Sequence, residues 1–200
     1  MKNNKYILIY RAFFFLIALI NFFESTRLYQ LRFDLDYLYY YTNLSNFLVF
    51  IWISYEIYKL LFNVKTLKRD YMLKFDVTLI IMITFIVYNT LLGDMSSPDY
   101  YQIPNLLKHV LIPILMLVDY LVFTPKNKVM FKDTYQALTF PVLYFIYAMI
   151  RGLFTHEYPY FFVDPTDIGY MGVFIYVVAI TSAIWVFSYL LYVVNKKKKI

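Results

Sequence analysis

One threonine and one histidine in apolar surroundings are the side chains of this chain best suited to carry out chemistry. Thr42, Ser45 and Asn46 are spaced i, i+3 and i+4, so on a helix they share one face. His109 lies in a second apolar segment. A neutral imidazole is the usual base for a hydroxyl nucleophile, and a hydroxyl activated in this way can attack an ester. These residue types therefore indicate acyl transfer.

We expect Thr42 and His109 to lie at similar depth near the starts of two helices. If Asp36 caps the first helix, Thr42 follows six residues later, or ~9 Å along the axis. A second helix that starts at Pro104, a residue favoured in the first helical turn, places His109 ~7.5 Å along its axis. Free N–H groups and the positive dipole end near Thr42 would favour a developing oxyanion.

Other polar side chains are expected at the same depth. Asn105, one turn before His109, could hold the second ring nitrogen, and Asn21 reaches this layer from another segment. Thr, Ser and Asn also join membrane helices through hydrogen bonds, so a packing role is the alternative. The residues to which we assign supporting, oxyanion-stabilising or orienting roles are Ser45, Asn46, Asn89, Asn105 and Arg151.

The composition shows which environment must position these residues. Of the 200 residues, 62% are hydrophobic, 22% are aromatic and only 16% are charged. A soluble domain would expose too much apolar surface, and so aromatic a chain would not stay disordered. There are no cysteines and only two histidines, so no metal site and no cofactor are predicted.

Six segments are long and apolar enough to cross a bilayer, which takes about 20 residues each. They predict an all-α, polytopic membrane protein, with one domain over residues 1–200 and short linkers. The predicted spans are 6–26, 37–62, 76–93, 104–123, 134–152 and 170–194.

The loops alternate in charge. Lysine and arginine gather in residues 1–5, 63–75 and 124–133 and in the C-terminal lysines, whereas the other three loops are mainly acidic. The positive-inside bias therefore predicts that both termini are cytoplasmic. The net charge of +6 is explained by this orientation, and no nucleic-acid partner is predicted. The usage of Lys, Asn, Ile, Tyr and Phe suggests an AT-rich bacterial genome, so the expected location is a bacterial plasma membrane.

Two further features fall on opposite sides of the membrane. The outer loop 152–169 is rich in aromatic residues, and it is expected either to rest on the headgroup layer or to form a lid over a site. Near the cytoplasmic side, Arg11, Glu56 and Asp119 enter the hydrocarbon. We expect a structural charge cluster in which Asp119 or Glu56 pairs with Arg11, with a proton or ion relay as the alternative.

Three motifs in order resemble the androgen-induced-gene family of membrane proteins, which includes bacterial relatives with six predicted spans. The resemblance covers nearly the whole chain. The motifs are Tyr-Thr-Asn-Leu-Ser-Asn at 41–46, Leu-Lys-His-Val-Leu-Ile-Pro at 107–113 with Asp119 and Tyr120, and Tyr-Pro-Tyr-Phe-Phe-Val-Asp at 158–164 before Gly169.

The resemblance implies a threonine hydrolase that cleaves fatty acid esters of hydroxy fatty acids within the membrane. It implies Thr42 as the nucleophile and His109 as the base. This chain departs from the family after the threonine, where residues 43–46 are more polar, and at Phe161, where relatives tend to have a second proline. These departures bear on the substrate.

Two other functions compete with an intramembrane esterase that takes its lipid ester from the bilayer. A small transporter or channel would need broken helices, charges at the midplane or an inverted repeat. Only Pro113 and Pro141 lie deep in the predicted spans, and the charges avoid the midplane. A non-catalytic scaffold would use the polar residues for packing alone. The sequence does not indicate an oligomeric state.

Overall fold

The computed structural model describes residues 2–28 and 35–197 and confirms the all-α class. Within these residues, six helices are long and apolar enough to cross a membrane, so the chain is a multi-pass membrane protein. Short 3-10 turns lie at Leu35–Tyr39, Pro98–Tyr101 and Phe161–Val163. The helices are α1 (Lys2–Thr26), α2 (Tyr41–Leu61), α3 (Lys68–Leu92), α4 (Ile103–Phe123), α5 (Thr139–Thr155) and α6 (Pro165–Lys197). Helix α6 is interrupted at Gly169, where φ is 71° and the backbone is not helical.

The helix boundaries differ from the expected ones in two places that matter. Helix α2 begins at Tyr41, after the 3-10 turn, so Thr42 is its second residue and not its sixth. Helix α3 begins at Lys68 because the Asp70 carboxylate accepts the N–H of Leu67 at 2.9 Å and so caps the helix. Part of the expected 63–75 loop is therefore helical. Arg32, Asp34, Lys198, Lys199 and the side chain of Asp36 lie outside the described residues.

The core of the bundle lies between α1, α2, α3 and α4. Phe14, Ile53, Ile81 and Met116 meet there and are fully buried. Helices α5 and α6 are less enclosed. Only 17% of the most apolar stretch of each is buried, against 39–44% for α2, α3 and α4. Helices α5 and α6 therefore leave a space beside α3, and the loop between them covers one end of that space.

Candidate active site

The first turn of α2 is held by two tyrosine hydroxyls. The residue before the helix, Tyr40, has extended backbone and makes no side-chain cap among the described residues. The Tyr41 N–H donates to the Tyr144 hydroxyl at 3.0 Å, and the Thr42 N–H donates to the Tyr160 hydroxyl at 3.3 Å. Free N–H groups at a helix start need such acceptors when water is excluded. The hydroxyls come from α5 and from the α5–α6 loop, so tertiary contacts define where this helix begins.

Thr42 lines a cavity of about 400 Å³, a volume within the usual range of small-molecule sites, roughly 300–1,000 Å³. Helices α3, α5 and α6 form its walls, and the segment 160–163 covers it near the start of α2. Its surface is almost entirely apolar. The side chains that line it include Ile83, Val87, Phe145, Phe162, Ile180 and Ile184.

The aromatic loop between α5 and α6 folds over this cavity. Phe162 and Val163 are buried against it, and only Phe161 is exposed among the three residues of the 3-10 turn. The Tyr158 ring lies directly on Gly152, where an added Cβ would come within 2.1 Å of a ring carbon. The loop is thus anchored to α5 through a contact that only glycine permits. This arrangement fits the cover expected as one of the two roles for residues 152–169.

His109 lies beside the cavity without lining it. The residue is buried and belongs to a π-helical turn at Leu107–Leu111, and Tyr88 begins a second π turn, Tyr88–Leu92, in α3. The two rings stack with centroids 3.6 Å apart and planes 9° from parallel, and the Tyr88 ring also lines the cavity. Nδ1 of His109 is buried and has no hydrogen-bond partner among the described residues. Single π turns in helices often mark functional sites.

Asn46 joins the two candidate catalytic segments. Its amide nitrogen donates to the Thr42 carbonyl at 2.8 Å and to the Lys108 carbonyl at 3.1 Å, next to His109. Asn21 of α1 donates to the Asn46 oxygen at 3.4 Å. One side chain therefore places the turn that holds Thr42 level with the turn that holds His109. The part of the chain that the structure describes contains no direct hydrogen bond between Thr42 and His109.

Ser45 supports Thr42 from inside its own helix. Its hydroxyl donates to the Thr42 carbonyl at 2.9 Å and lies 2.7 Å from the hydroxyl of Thr84. Since the single Ser45 proton is used on the carbonyl, Thr84 is the donor of the second bond. Ser45 thus orients the backbone of Thr42 and does not face the cavity itself.

Asn89 and Asn105 take positions other than those expected of catalytic donors. Asn89 donates to the Phe85 carbonyl at 2.7 Å, makes a long contact of 3.5 Å to the His109 carbonyl, and accepts from the Tyr100 hydroxyl. Asn105 is half-buried and donates to the Asp99 carbonyl at 2.8 Å. The expected bond from Asn105 to the His109 ring is therefore absent from the described residues, because Asn105 is turned to the preceding loop.

Arg151 lies at the edge of the site. Its guanidinium carbon sits 3.7 Å from the centre of the Tyr39 ring, and the Tyr39 hydroxyl donates to the Glu157 carbonyl at 2.8 Å. This contact joins the turn before α2 to the end of α5. Arg151 therefore helps to place the loop that covers the cavity.

Tyr88, Tyr144 and Tyr160 have parts in this site that sequence reasoning did not assign to them. The chain contains 23 tyrosines, and no spacing distinguishes these three from the rest. The single available signal was the tyrosine-rich outer loop. Burial raises the pKa of Tyr160, and hydrogen bonds with the side chain of Thr42 and the N–H groups of Thr42 and Tyr41 partly offset it. Tyr160 is therefore a neutral phenol beside Thr42 at physiological pH.

At the opposite end of the bundle, a cluster of buried charges joins α1, α2, α3 and α4. Arg11 pairs with both expected partners, Glu56 and Asp119, the second at 3.0 Å. Sequence reasoning did not include the other three members, Lys59, Asp70 and Lys74. Lys59 pairs with Glu56 and, at 3.4 Å, with Asp70. Lys74 pairs with Asp119 at 2.5 Å. The six residues, which we name the ionic cluster, carry three positive and three negative charges. Every charge in the ionic cluster thus has a counter-charge, as stability in a low dielectric requires.

Comparisons with known proteins supply no relative on which to test these assignments. No family model, no curated protein and no solved structure matches the chain. Within the described residues, no group of three or more His, Asp or Glu side chains is arranged to hold a metal ion.

Proposed function

We propose that this protein is an intramembrane hydrolase of lipid esters, with Thr42 as the nucleophile and His109 as the general base. The observation that carries the proposal is the position of Thr42, in the first turn of a helix and on the wall of an apolar cavity. A hydroxyl at such a place has both a pocket for a fatty-acyl chain and the positive end of a helix dipole beside it.

The reaction we propose begins with attack of the Thr42 oxygen on the ester carbonyl carbon. The hydroxyl proton passes to the His109 imidazole, and the carbonyl π electrons move to the oxygen. When the tetrahedral intermediate collapses, the bond to the alcohol breaks and the alcohol oxygen takes the proton held by His109. A water molecule deprotonated by His109 then attacks the acyl-threonine. The bond from the carbonyl carbon to the Thr42 oxygen breaks, that oxygen takes the proton held by His109, and the fatty acid leaves.

The position of Tyr88 determines how His109 would reach the nucleophile. The Tyr88 ring covers one face of the imidazole and lines the cavity. Proton transfer therefore requires a bridging water or a rotation of the Tyr88 side chain as substrate enters. Catalytic hydrogen bonds are often long in unliganded enzymes and tighten only in the substrate complex. The buried Nδ1 of His109 is available for this contact, because no described residue bonds to it.

The proposed substrate enters from the bilayer. Helices α5 and α6 provide much of the cavity wall and are the helices with the smallest buried share in their apolar stretches, so access between them is the route we expect. The positive-inside bias places the Thr42 end of the bundle at the outer leaflet and both termini in the cytoplasm. Fatty acid esters of hydroxy fatty acids are one class of ester that would fit this site.

A binding scaffold without chemistry is the second candidate. It is favoured by the separation of His109 from the cavity by Tyr88. In that case Thr42 would be one wall residue among many, and its hydroxyl would contribute nothing to turnover.

The two functions are separated by ester turnover in lipid nanodiscs with purified wild type and Thr42→Ala. This change keeps the Thr42 backbone bonds to Asn46, Ser45 and Tyr160, so the fold should persist. The matched control is Thr90→Ala, an exposed threonine in the π turn of α3. We expect turnover and labelling by a lipophilic fluorophosphonate to be lost in Thr42→Ala alone. Full turnover in purified Thr42→Ala would refute Thr42 as the nucleophile. No turnover by either wild type or Thr42→Ala would leave the scaffold.

A further inference from the structure

The two tyrosine hydroxyls at the start of α2 differ in how their protons are used. The Tyr144 hydroxyl accepts the Tyr41 N–H and donates its proton to the Tyr39 carbonyl at 2.9 Å. The proton of Tyr144 is therefore used on a backbone carbonyl. The Tyr160 hydroxyl accepts the Thr42 N–H at 3.3 Å. Among the described residues no backbone carbonyl accepts its proton, and its side-chain neighbours are the hydroxyls of Thr42 and Tyr144. A proton shared only with hydroxyls can turn to a new acceptor beside Thr42.

The Tyr160 ring is held firmly in place for such a role. It stacks on Phe162 with centroids 5.1 Å apart and planes 4° from parallel, and it makes a T-shaped contact with the Tyr40 ring. Both Tyr160 and Thr42 line the cavity. A donor held in this way needs no reorganisation when charge develops during a reaction, which is the basis of oxyanion stabilisation.

We propose that the Tyr160 hydroxyl is the hydrogen-bond donor to the oxyanion formed when Thr42 attacks an ester, and this inference rests on the proposed function. The Thr42 N–H donates to the phenol oxygen, and the phenol O–H donates to the oxyanion. Hydrogen bonds linked in this way polarise one another. The phenol keeps its proton throughout, so the bonds made and broken are those between the Thr42 oxygen, the carbonyl carbon and the alcohol.

A neutral phenol suits this task better than it suits the task of a base. Tyr160 stays protonated because its surroundings are apolar, and a protonated phenol can donate to a negative oxygen but cannot remove the Thr42 proton. The roles of Tyr160 and His109 are therefore distinct. His109 moves the proton, and Tyr160 stabilises the charge on the carbonyl oxygen.

The test compares Tyr160→Phe with wild type in nanodiscs, with Tyr170→Phe as the matched control. Tyr170 lies near the start of α6, which follows the loop that holds Tyr160, and it is exposed. Loss of one oxyanion donor typically lowers kcat about 10²–10³-fold, and we expect a decrease in this range with little change in KM. A lipophilic trifluoromethyl ketone, which forms a tetrahedral adduct with a hydroxyl, should bind correspondingly more weakly to Tyr160→Phe. An ether analogue of the substrate should bind as it does to wild type.

Several outcomes would overturn the inference. An unchanged kcat in Tyr160→Phe, with Thr42→Ala inactive, would remove Tyr160 from the chemistry and leave the proposed function intact. Equal weakening of the ketone and the ether analogue would indicate that Tyr160 only shapes the cavity. Turnover in Thr42→Ala would refute both proposals together. Should Tyr160→Phe fold poorly, fluorotyrosine at position 160 keeps the shape and changes the acidity of the donor, and a kcat that does not respond to this acidity would equally overturn the inference.

Discussion

Replacing Asp119 by Asn is the sharpest test of how the ionic cluster stabilises the bundle. Asp119 is fully buried on α4 and is the anion that Arg11 and Lys74 share, at 3.0 and 2.5 Å. Asn keeps the size of the side chain and removes its charge. The cluster then holds three positive and two negative charges.

The structure indicates that this change lowers the free energy of unfolding by a large amount. Removing one partner of a buried ion pair leaves an uncompensated charge and costs about 3–5 kcal/mol. Arg11 still has Glu56 after the change, but Lys74 has no other salt-bridge partner among the described residues. We therefore expect Asp119→Asn to lower the free energy of unfolding by about 3 kcal/mol or more. The double variant Lys74→Met with Asp119→Asn restores neutrality, and it should regain most of this loss because apolar replacement of a buried pair is often neutral or stabilising.

The measurement is reversible unfolding in mixed micelles of increasing SDS fraction, followed by tryptophan fluorescence. The matched control is Asp167→Asn, an exposed aspartate in the first turn of α6, with an expected change below about 0.5 kcal/mol. The reasoning is wrong if Asp119→Asn unfolds like the control. It is also wrong if the double variant is less stable than Asp119→Asn alone, because charge balance would then not be what the cluster provides.

Three further outcomes concern the Thr42 end of the bundle. His109→Phe preserves the stack on Tyr88 and removes the base, so ester turnover should fall at least 10²-fold. The SDS fraction at the unfolding midpoint should change little. Unchanged turnover would exclude His109 as the base. Asn46→Leu removes the donor shared by two carbonyls. It should lower the free energy of unfolding by about 1–3 kcal/mol and also lower kcat. A stable and active variant would show that the Asn46 side chain does not position the site. Gly152→Ala pushes a Cβ into the Tyr158 ring and should displace the loop between α5 and α6. We expect faster proteolysis of residues 156–164 and reduced turnover. Gly172→Ala on α6 serves as the control.

Much of the fold follows from the sequence because a bilayer imposes one strong requirement. Each crossing needs about 20 apolar residues whose backbone bonds are made within the helix, and the six predicted spans correspond to the six helices. Their ends were harder to predict. Helix α3 extends to Lys68 because Asp70 caps it, and a charged first turn resembles a loop when only hydropathy is considered.

In the candidate site, too, some features were predicted from the sequence and others were not. Thr42, Asn46 and His109 were selected from residue type and depth, and Asn46 does join the turns that hold the other two. The partners of Arg11 were predicted because a charge in hydrocarbon needs a counter-charge. Lys74 was missed because it was assigned to the 63–75 loop, and Lys59 was not singled out within the predicted span 37–62.

The sequence alone determines that the chain is membrane-embedded, how many times it crosses, and which polar groups lie at each end, because the thickness and low dielectric of the bilayer act on every residue separately. Tertiary structure decides where α2 begins, which hydroxyls meet Thr42, and that the Tyr88 ring lies between His109 and the cavity. Those contacts join residues as far as 118 positions apart. They depend on how the helices pack and on where the α5–α6 loop folds back, and these are properties of the assembled bundle.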